Sequence, residues 1–245
     1  MTTVPRRALI AVTCAKAKLY PDGGETGLFV TEALHPFEIL RKANFEVDLI
    51  SEDGKFSADQ LSLTEPWIKP DELAIYNDRN SEFRHKLDNL LKPSDVDPKK
   101  YGIFFASAGH AALIDYPEDK GLQKIAGEIW DDGGIVSAVC HGGAIFPGIK
   151  DKNGNCIIKG REVTGFTTQG EEEEGVLETI KSWNRPTIES SAASCGAKYV
   201  APPGPWASFT HTDGRLVTGA NPQSGAAIGE AIVKAFDALP NHQSA

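Results

Sequence analysis

The feature that most constrains this chain is residues 133–144, where the apolar run Ile135-Val136-Ser137-Ala138-Val139 stops abruptly at Cys140-His141-Gly142-Gly143 and resumes as Ala144-Ile145-Phe146. A run this short and apolar reads as a buried strand. The residues after it must turn tightly, and two glycines supply the backbone freedom for that turn. The pattern is therefore strand, elbow and helix start, with a cysteine projecting from the elbow and a histidine beside it.

Similar apolar runs recur along the chain. Residues 7–13, 45–50, 101–106 and 216–220 read as strands, with a shorter one at 162–167. Between them, residues 28–41, 120–131 and 224–239 carry apolar positions at helical spacing. His35-Pro36 predicts a kink or break in the first of these helices. Alternating strands and helices imply an α/β fold with a mostly parallel central sheet covered on both faces. Residues 16–27 and 150–155 have turn chemistry. Residues 51–98 are long, polar and proline-punctuated, with a helical piece at 81–91, and read as an insert or cap over the sheet. The expected organisation is one domain over 1–245, with 51–98 inserted in it and 240–245 a polar tail.

The chain of 245 residues is long enough to bury a sizeable core. Its net charge of -9 argues against nucleic acid as a partner. No apolar run reaches the 18 or so residues of a membrane span, and the run behind Met1 is too short for a signal peptide. Four widely spaced cysteines, Cys14, Cys140, Cys156 and Cys195, suggest reduced thiols in a cytoplasmic protein.

Three motifs follow strand ends: Ser107-Ala108-Gly109-His110, Cys140-His141-Gly142-Gly143 and Asn221-Pro222. Parallel sheets bring such motifs to one edge, where ligands bind. A cysteine on an elbow gains exposure, a thiolate favoured by the helix amides behind it, and nearby backbone N–H groups able to hold an oxyanion. Cys140 is thus the candidate nucleophile, against the plainer reading of a buried structural thiol. His141 is its candidate base and needs an orienting acceptor, which Glu171 or Glu172 could supply. His110 is a second candidate, as partner or as pocket wall. The acidic run 171–174 also reads simply as a helix opening. Glu32, flanked by apolar residues, should be paired or have a raised pKa, unless it lies on a solvated face. The stiff loop Pro202-Pro203-Gly204-Pro205-Trp206 can hold its aromatic over a pocket. Cys14, just past the first strand, lines a pocket or is an inert thiol. The six histidines form no metal-binding motif, and no phosphate-binding glycine loop is present, so no metal or cofactor is expected.

Taken together, these residues resemble the DJ-1/PfpI superfamily, and within it the Hsp31-like fungal glutathione-independent glyoxalases (glyoxalase III). The matching pieces are residues 27–37, 104–110, 138–142, 163–167 with Gly170-Glu171, 201–206 and 213–222, so the resemblance spans about 7 to 239. It implies a flavodoxin-like sandwich. It places the strained cysteine on Cys140, its histidine on His141 and the third triad member on Glu171, with Glu172 as rival. It makes Glu32 the carboxyl that hydrogen-bonds the cysteine, and the N–H groups of Gly109 and His141 the oxyanion donors. Related sequences often carry proline where this chain has Gly143, which loosens the elbow. The implied substrate is a small 2-oxoaldehyde such as methylglyoxal, converted to D-lactate through a Cys140 hemithioacetal without metal, nicotinamide or glutathione. The implied state is a monomer or homodimer in the cytoplasm, with the nucleus as a further location. Rival activities on the same scaffold are a holdase chaperone acting on misfolded clients, a cysteine amidase or peptidase, and a protein deglycase.

Overall fold

The computed structural model describes residues 3–245. Its central sheet holds β1 (Arg7–Ala11), β2 (Glu46–Ile50), β3 (Ile103–Ala106), β4 (Ile135–Val139), β5 (Thr210–Asp213) and β6 (Leu216–Gly219). The spatial order is β2-β1-β3-β4-β6-β5. Every pairing is parallel except β5 with β6. Without the antiparallel edge strand, the parallel strands run second, first, third, fourth, last, which is the flavodoxin-like order. All residues of β3 and β4 are buried, as a strand covered on both faces requires.

The helices around the sheet and the site include α1 (Val30–Lys42), α2 (Pro70–Asn77), α3 (Glu82–Asp88), α4 (Lys120–Asp131), α5 (Thr168–Glu173), α6 (Ile188–Ser194) and α7 (Gly225–Asp237). Helices α1 and α7 pack on each other, while α4 packs against β3 and β4. The break expected at His35-Pro36 does not occur, because α1 runs through both residues. Close packing holds it: a Cβ at Gly225 would lie 2.9 Å from the His35 ring, and one at Gly229 would lie 3.1 Å from Ile39. That contact compensates for the hydrogen bond that Pro36 cannot make.

Two further expectations change, and one strand is new. The chain after Cys140 forms a 3₁₀-helix, Cys140–Gly148, rather than an α-helix. The strand expected at 162–167 shrinks to Glu162–Val163, which pairs with Lys198–Tyr199. Strand β5 carries no apolar alternation, so nothing in its sequence announced it. The segment after β2 lies along α1: Phe83 of α3 meets Phe37 at 5.4 Å, and Glu82 pairs with Arg41 at 3.0 Å. It also carries Trp67, whose ring packs edge-on against Phe29 at 5.4 Å. The polar tail is docked, with Val4 N–H donating to the Asn241 carbonyl at 2.8 Å and Gln243 N–H to the Val4 carbonyl at 2.9 Å.

Candidate active site

Strand β4 delivers Cys140 to the carboxyl edge of the sheet. Its backbone leaves extended geometry at Val139 and enters the left-handed region at Cys140, φ 56°. That conformation is uncommon for a residue with a side chain and costs about 1–3 kcal/mol. Neighbours hold it in place. Phe166 N–H donates to the Cys140 carbonyl at 3.2 Å, and Gly142 packs where a Cβ would strike the Ala106 carbonyl. A Cβ at Gly143 would lie 3.3 Å from the Ile188 side chain. The tightness of the elbow thus comes from Cys140 and Gly142, not from Gly143.

The Cys140 Sγ lies 3.1 Å from His141 Nδ1. His141 Nε2 lies 2.7 Å from Glu171 Oε1, and His110 Nε2 lies 2.8 Å from Glu171 Oε2. One carboxylate therefore holds two histidines, whose rings stack at 4.0 Å. All four residues are buried; Glu172 is exposed. Thr167 caps α5 by accepting from Gly170 N–H at 2.9 Å, which sets the phase that turns Glu171 inward. Glu174 lies on the same side and approaches His110 Nε2 at 3.4 Å.

These contacts order the protons. Burial would raise the Glu171 carboxyl, but the two histidines hold it down to about 2. Burial would lower His110, yet Glu171, Glu174 and Asp59 carry it up to about 9. His141 drops to about 4 through its burial and the charge on His110. At neutral pH, His110 is thus the cation and His141 is neutral. With Nδ1 facing the thiol, His141 donates its Nε2–H to Glu171.

Glu32, from the first turn of α1, is fully buried behind the cysteine. One of its oxygens accepts from Ala108 N–H at 3.1 Å, and its carboxyl meets the Cys140 thiol. Burial pushes its pKa up to about 8. The depression expected for Cys140 is overridden: burial first, then Glu32 and Glu171, push the thiol up, against the His141 N–H that faces its sulfur. Gly109, φ 142°, lies where a Cβ would collide with the Gly27 carbonyl, and this close approach brings the 108–110 turn onto the start of α1.

An aromatic wall closes the site. Phe166 packs on His141 at 4.8 Å and on Trp206 at 5.5 Å, and Trp206 reaches Trp67 at 5.9 Å. Trp206 also donates Nε1–H to Glu173 Oε2 at 2.8 Å. Asn221 holds this loop from both sides, donating to the Pro205 and Ala207 carbonyls at 2.8 and 2.7 Å. Cys14 stands apart, its amide bonded to Asp115 at 2.7 Å and its thiol pushed up by partial burial and that carboxylate. Phe166, Trp67 and Glu174 were not singled out from the sequence. Glu174 left a signal in its i+3 spacing from Glu171, and Phe166 in its place within the 163–167 motif; Trp67 left none. His110, His141 and Glu171 also present donor atoms within 4.8 Å of one another, a set able to hold a divalent ion, but here they are committed to each other.

A doubly wound sheet with a strained cysteine just past its fourth strand, a neighbouring histidine and a buried carboxyl beneath defines a DJ-1/PfpI-type protein. The chain is 49% identical over 232 residues to Glyoxalase 3 of Candida albicans, covering 94% of this chain and 98% of that one. It is 47% identical over 238 residues to the glutathione-independent glyoxalase HSP31 of Saccharomyces cerevisiae, covering 97% and 99%. The crystal structure of glyoxalase III from Candida albicans superposes with a TM-score of 0.91 at 48% identity, over 94% of this chain and 97% of that one. No family model matches. The chain belongs to the Hsp31-like fungal glutathione-independent glyoxalase family of the DJ-1/PfpI superfamily.

Proposed function

We propose that this protein is a glutathione-independent glyoxalase, a lyase that converts methylglyoxal and similar 2-oxoaldehydes to D-lactate and related 2-hydroxy acids. The observation that carries the reading is the line Cys140 Sγ, His141 and Glu171, spaced 3.1 and 2.7 Å apart. The thiol passes its proton to neutral His141 as sulfur adds to the aldehyde carbon, and Glu171 stabilises the imidazolium formed. His141 returns that proton to the new oxygen, giving the hemithioacetal. In this reading the Gly109 N–H and the protonated Glu32 donate to that oxygen, and the His141 N–H, which rests against the sulfur, turns to it as the oxyanion forms. His141 then removes the proton from the former aldehyde carbon while Glu32 gives its proton to the neighbouring carbonyl oxygen, making the enediol; His141 returns its proton to the neighbouring carbon as the first hydroxyl gives its own back to Glu32. The product is a thioester of the 2-hydroxy acid, which water cleaves to release Cys140. One carbon is oxidised as its neighbour is reduced, so no external redox partner enters the balance.

Two groups with pKa values pushed to about 8 and about 4 divide the acid and base work. Cys140 is only 3% exposed, which suits a small substrate. We place the protein in the cytoplasm as a single domain, monomeric or homodimeric, with residues 51–98 as a cap that contributes Trp67. D-lactate formation from methylglyoxal without glutathione tests the reading. Cys140→Ala should lower kcat by roughly 10³-fold or more. Equal rates in wild type and Cys140→Ala would discard the covalent route.

A further inference from the structure

Behind the nucleophile elbow lies a second pair of thiols that the glyoxalase chemistry does not use. Cys195 caps the carboxyl end of α6. Cys156 sits in the loop just past the 3₁₀-helix carrying Cys140. The backbone draws these segments together. Gly160 N–H donates to the Gly196 carbonyl at 2.9 Å, and Lys198 N–H to the Arg161 carbonyl at 2.8 Å. Two residues on, Glu162 and Lys198 are paired strand partners. The Cys156 and Cys195 side chains are thereby direct neighbours, both free and both partly exposed.

We infer that Cys156 and Cys195 are an oxidation site that closes to an intramolecular disulfide on exposure to peroxide and opens again with a thiol reductant. Cys156 donates its S–H to the Phe146 carbonyl at 3.2 Å. Burial pushes its pKa up to about 11, so Cys156 rests protonated and must give up that proton as it attacks in the resolving step. Cys195 gives up its thiol proton and attacks the peroxide, breaking the O–O bond; sulfur is oxidised to sulfenic acid, and the departing hydroxide takes up that proton and leaves as one water. The Cys156 sulfur then attacks Cys195, the S–O bond breaks, the Cys156 proton leaves with the hydroxyl as a second water, and the S–S bond forms. Two thiols and one hydrogen peroxide give one disulfide and two waters.

The bond would tie α6 to the loop behind the elbow. Ile188, at the start of α6, is the side chain that faces Gly143 and Gly165. The disulfide thus acts as a staple on the layer that backs Cys140 and leaves Cys140 itself free.

Full-length protein treated with stoichiometric hydrogen peroxide, alkylated and digested with trypsin tests this. Peptides 153–159 and 182–198, the Arg185–Pro186 bond resisting cleavage, should appear linked and should separate after reduction. The thermal midpoint of the oxidised protein should exceed that of the reduced protein by roughly 5 °C. Cys195→Ser and Cys156→Ser should each lose the linked pair and the shift while keeping methylglyoxal turnover. Oxygen added to Cys156 or Cys195 without a linked pair, or a link only between two chains, would overturn the site. A linked pair with an unchanged midpoint would overturn its action as a staple.

Discussion

Cys140 works among groups whose protons are set by burial and by one shared carboxylate. Glu171 cannot protonate in the neutral range while two histidines hold it, and His110, already charged, keeps resting His141 neutral, ready to accept a proton during the reaction. For Glu32, burial outweighs the hydrogen bonds from Cys140 and Ala108 and the charge on His110, so it keeps its proton up to about pH 8, well above its ordinary value of 4.5. The proposed mechanism needs that proton, so kcat/KM should fall as pH rises through about 8. Glu32→Gln keeps a donor that cannot ionise. Its kcat/KM should be about 10²-fold lower, and the alkaline limb at about 8 should vanish. A limb that persists in this variant would remove Glu32 from the acid role. Stability obeys the same sign. A carboxyl raised in the folded state contributes stability that is fully present below its unfolded pKa and lost as pH rises through about 8. The melting temperature of wild type relative to Glu32→Gln should therefore drop between pH 6 and pH 9.

At the scale of elements, the site is assembled where strand ends meet a short helix and a stiff loop. The elbow was legible because a buried strand that ends in Cys-His-Gly-Gly can only turn. The choice between Glu171 and Glu172 was not, because it depends on the phase of α5 set by the Thr167 cap, and either residue satisfies a helix opening. The aromatic wall was half legible: the prolines around Trp206 marked a stiff loop, while Trp67 arrives from a polar stretch whose path no local pattern defines. Asn221 joins the loop to the sheet. Its amide satisfies two backbone carbonyls, and its Oδ1 accepts from Ser224 N–H at 3.1 Å. Asn221→Ala would leave the Pro205 and Ala207 carbonyls short of a buried partner, at a cost of about 2–4 kcal/mol. Trp206 would lose its fixed position, so KM for methylglyoxal should rise along with the loss of stability. Unchanged KM in a folded Asn221→Ala protein would show that the wall does not position substrate.

For the whole molecule, the parallel sheet was readable from its apolar runs, since a strand buried on both faces has few alternatives. Pairings at the edges were not, because β5 and the terminal segment are polar and gain their places only through partners distant in sequence. The tail shows what those partners contribute. It docks by the two backbone hydrogen bonds to Val4 and by Arg6 N–H donating to Gln243 Oε1 at 3.1 Å. These bonds lie beside the entry to β1, at the amino ends of the strands and opposite the edge that carries Cys140. Each contributes about 0.5–1.5 kcal/mol net, so a chain ending at Leu239 should lose about 2–4 kcal/mol. For a domain of this size that corresponds to a thermal midpoint roughly 4–16 °C lower. Catalysis should be spared, because no residue of the tail touches the site or the elements that aim it. Matched melting curves and methylglyoxal kinetics on the full chain and the shortened one check both halves. A fall in kcat/KM with an unchanged midpoint would mean that the tail acts on the active edge and not on the sheet.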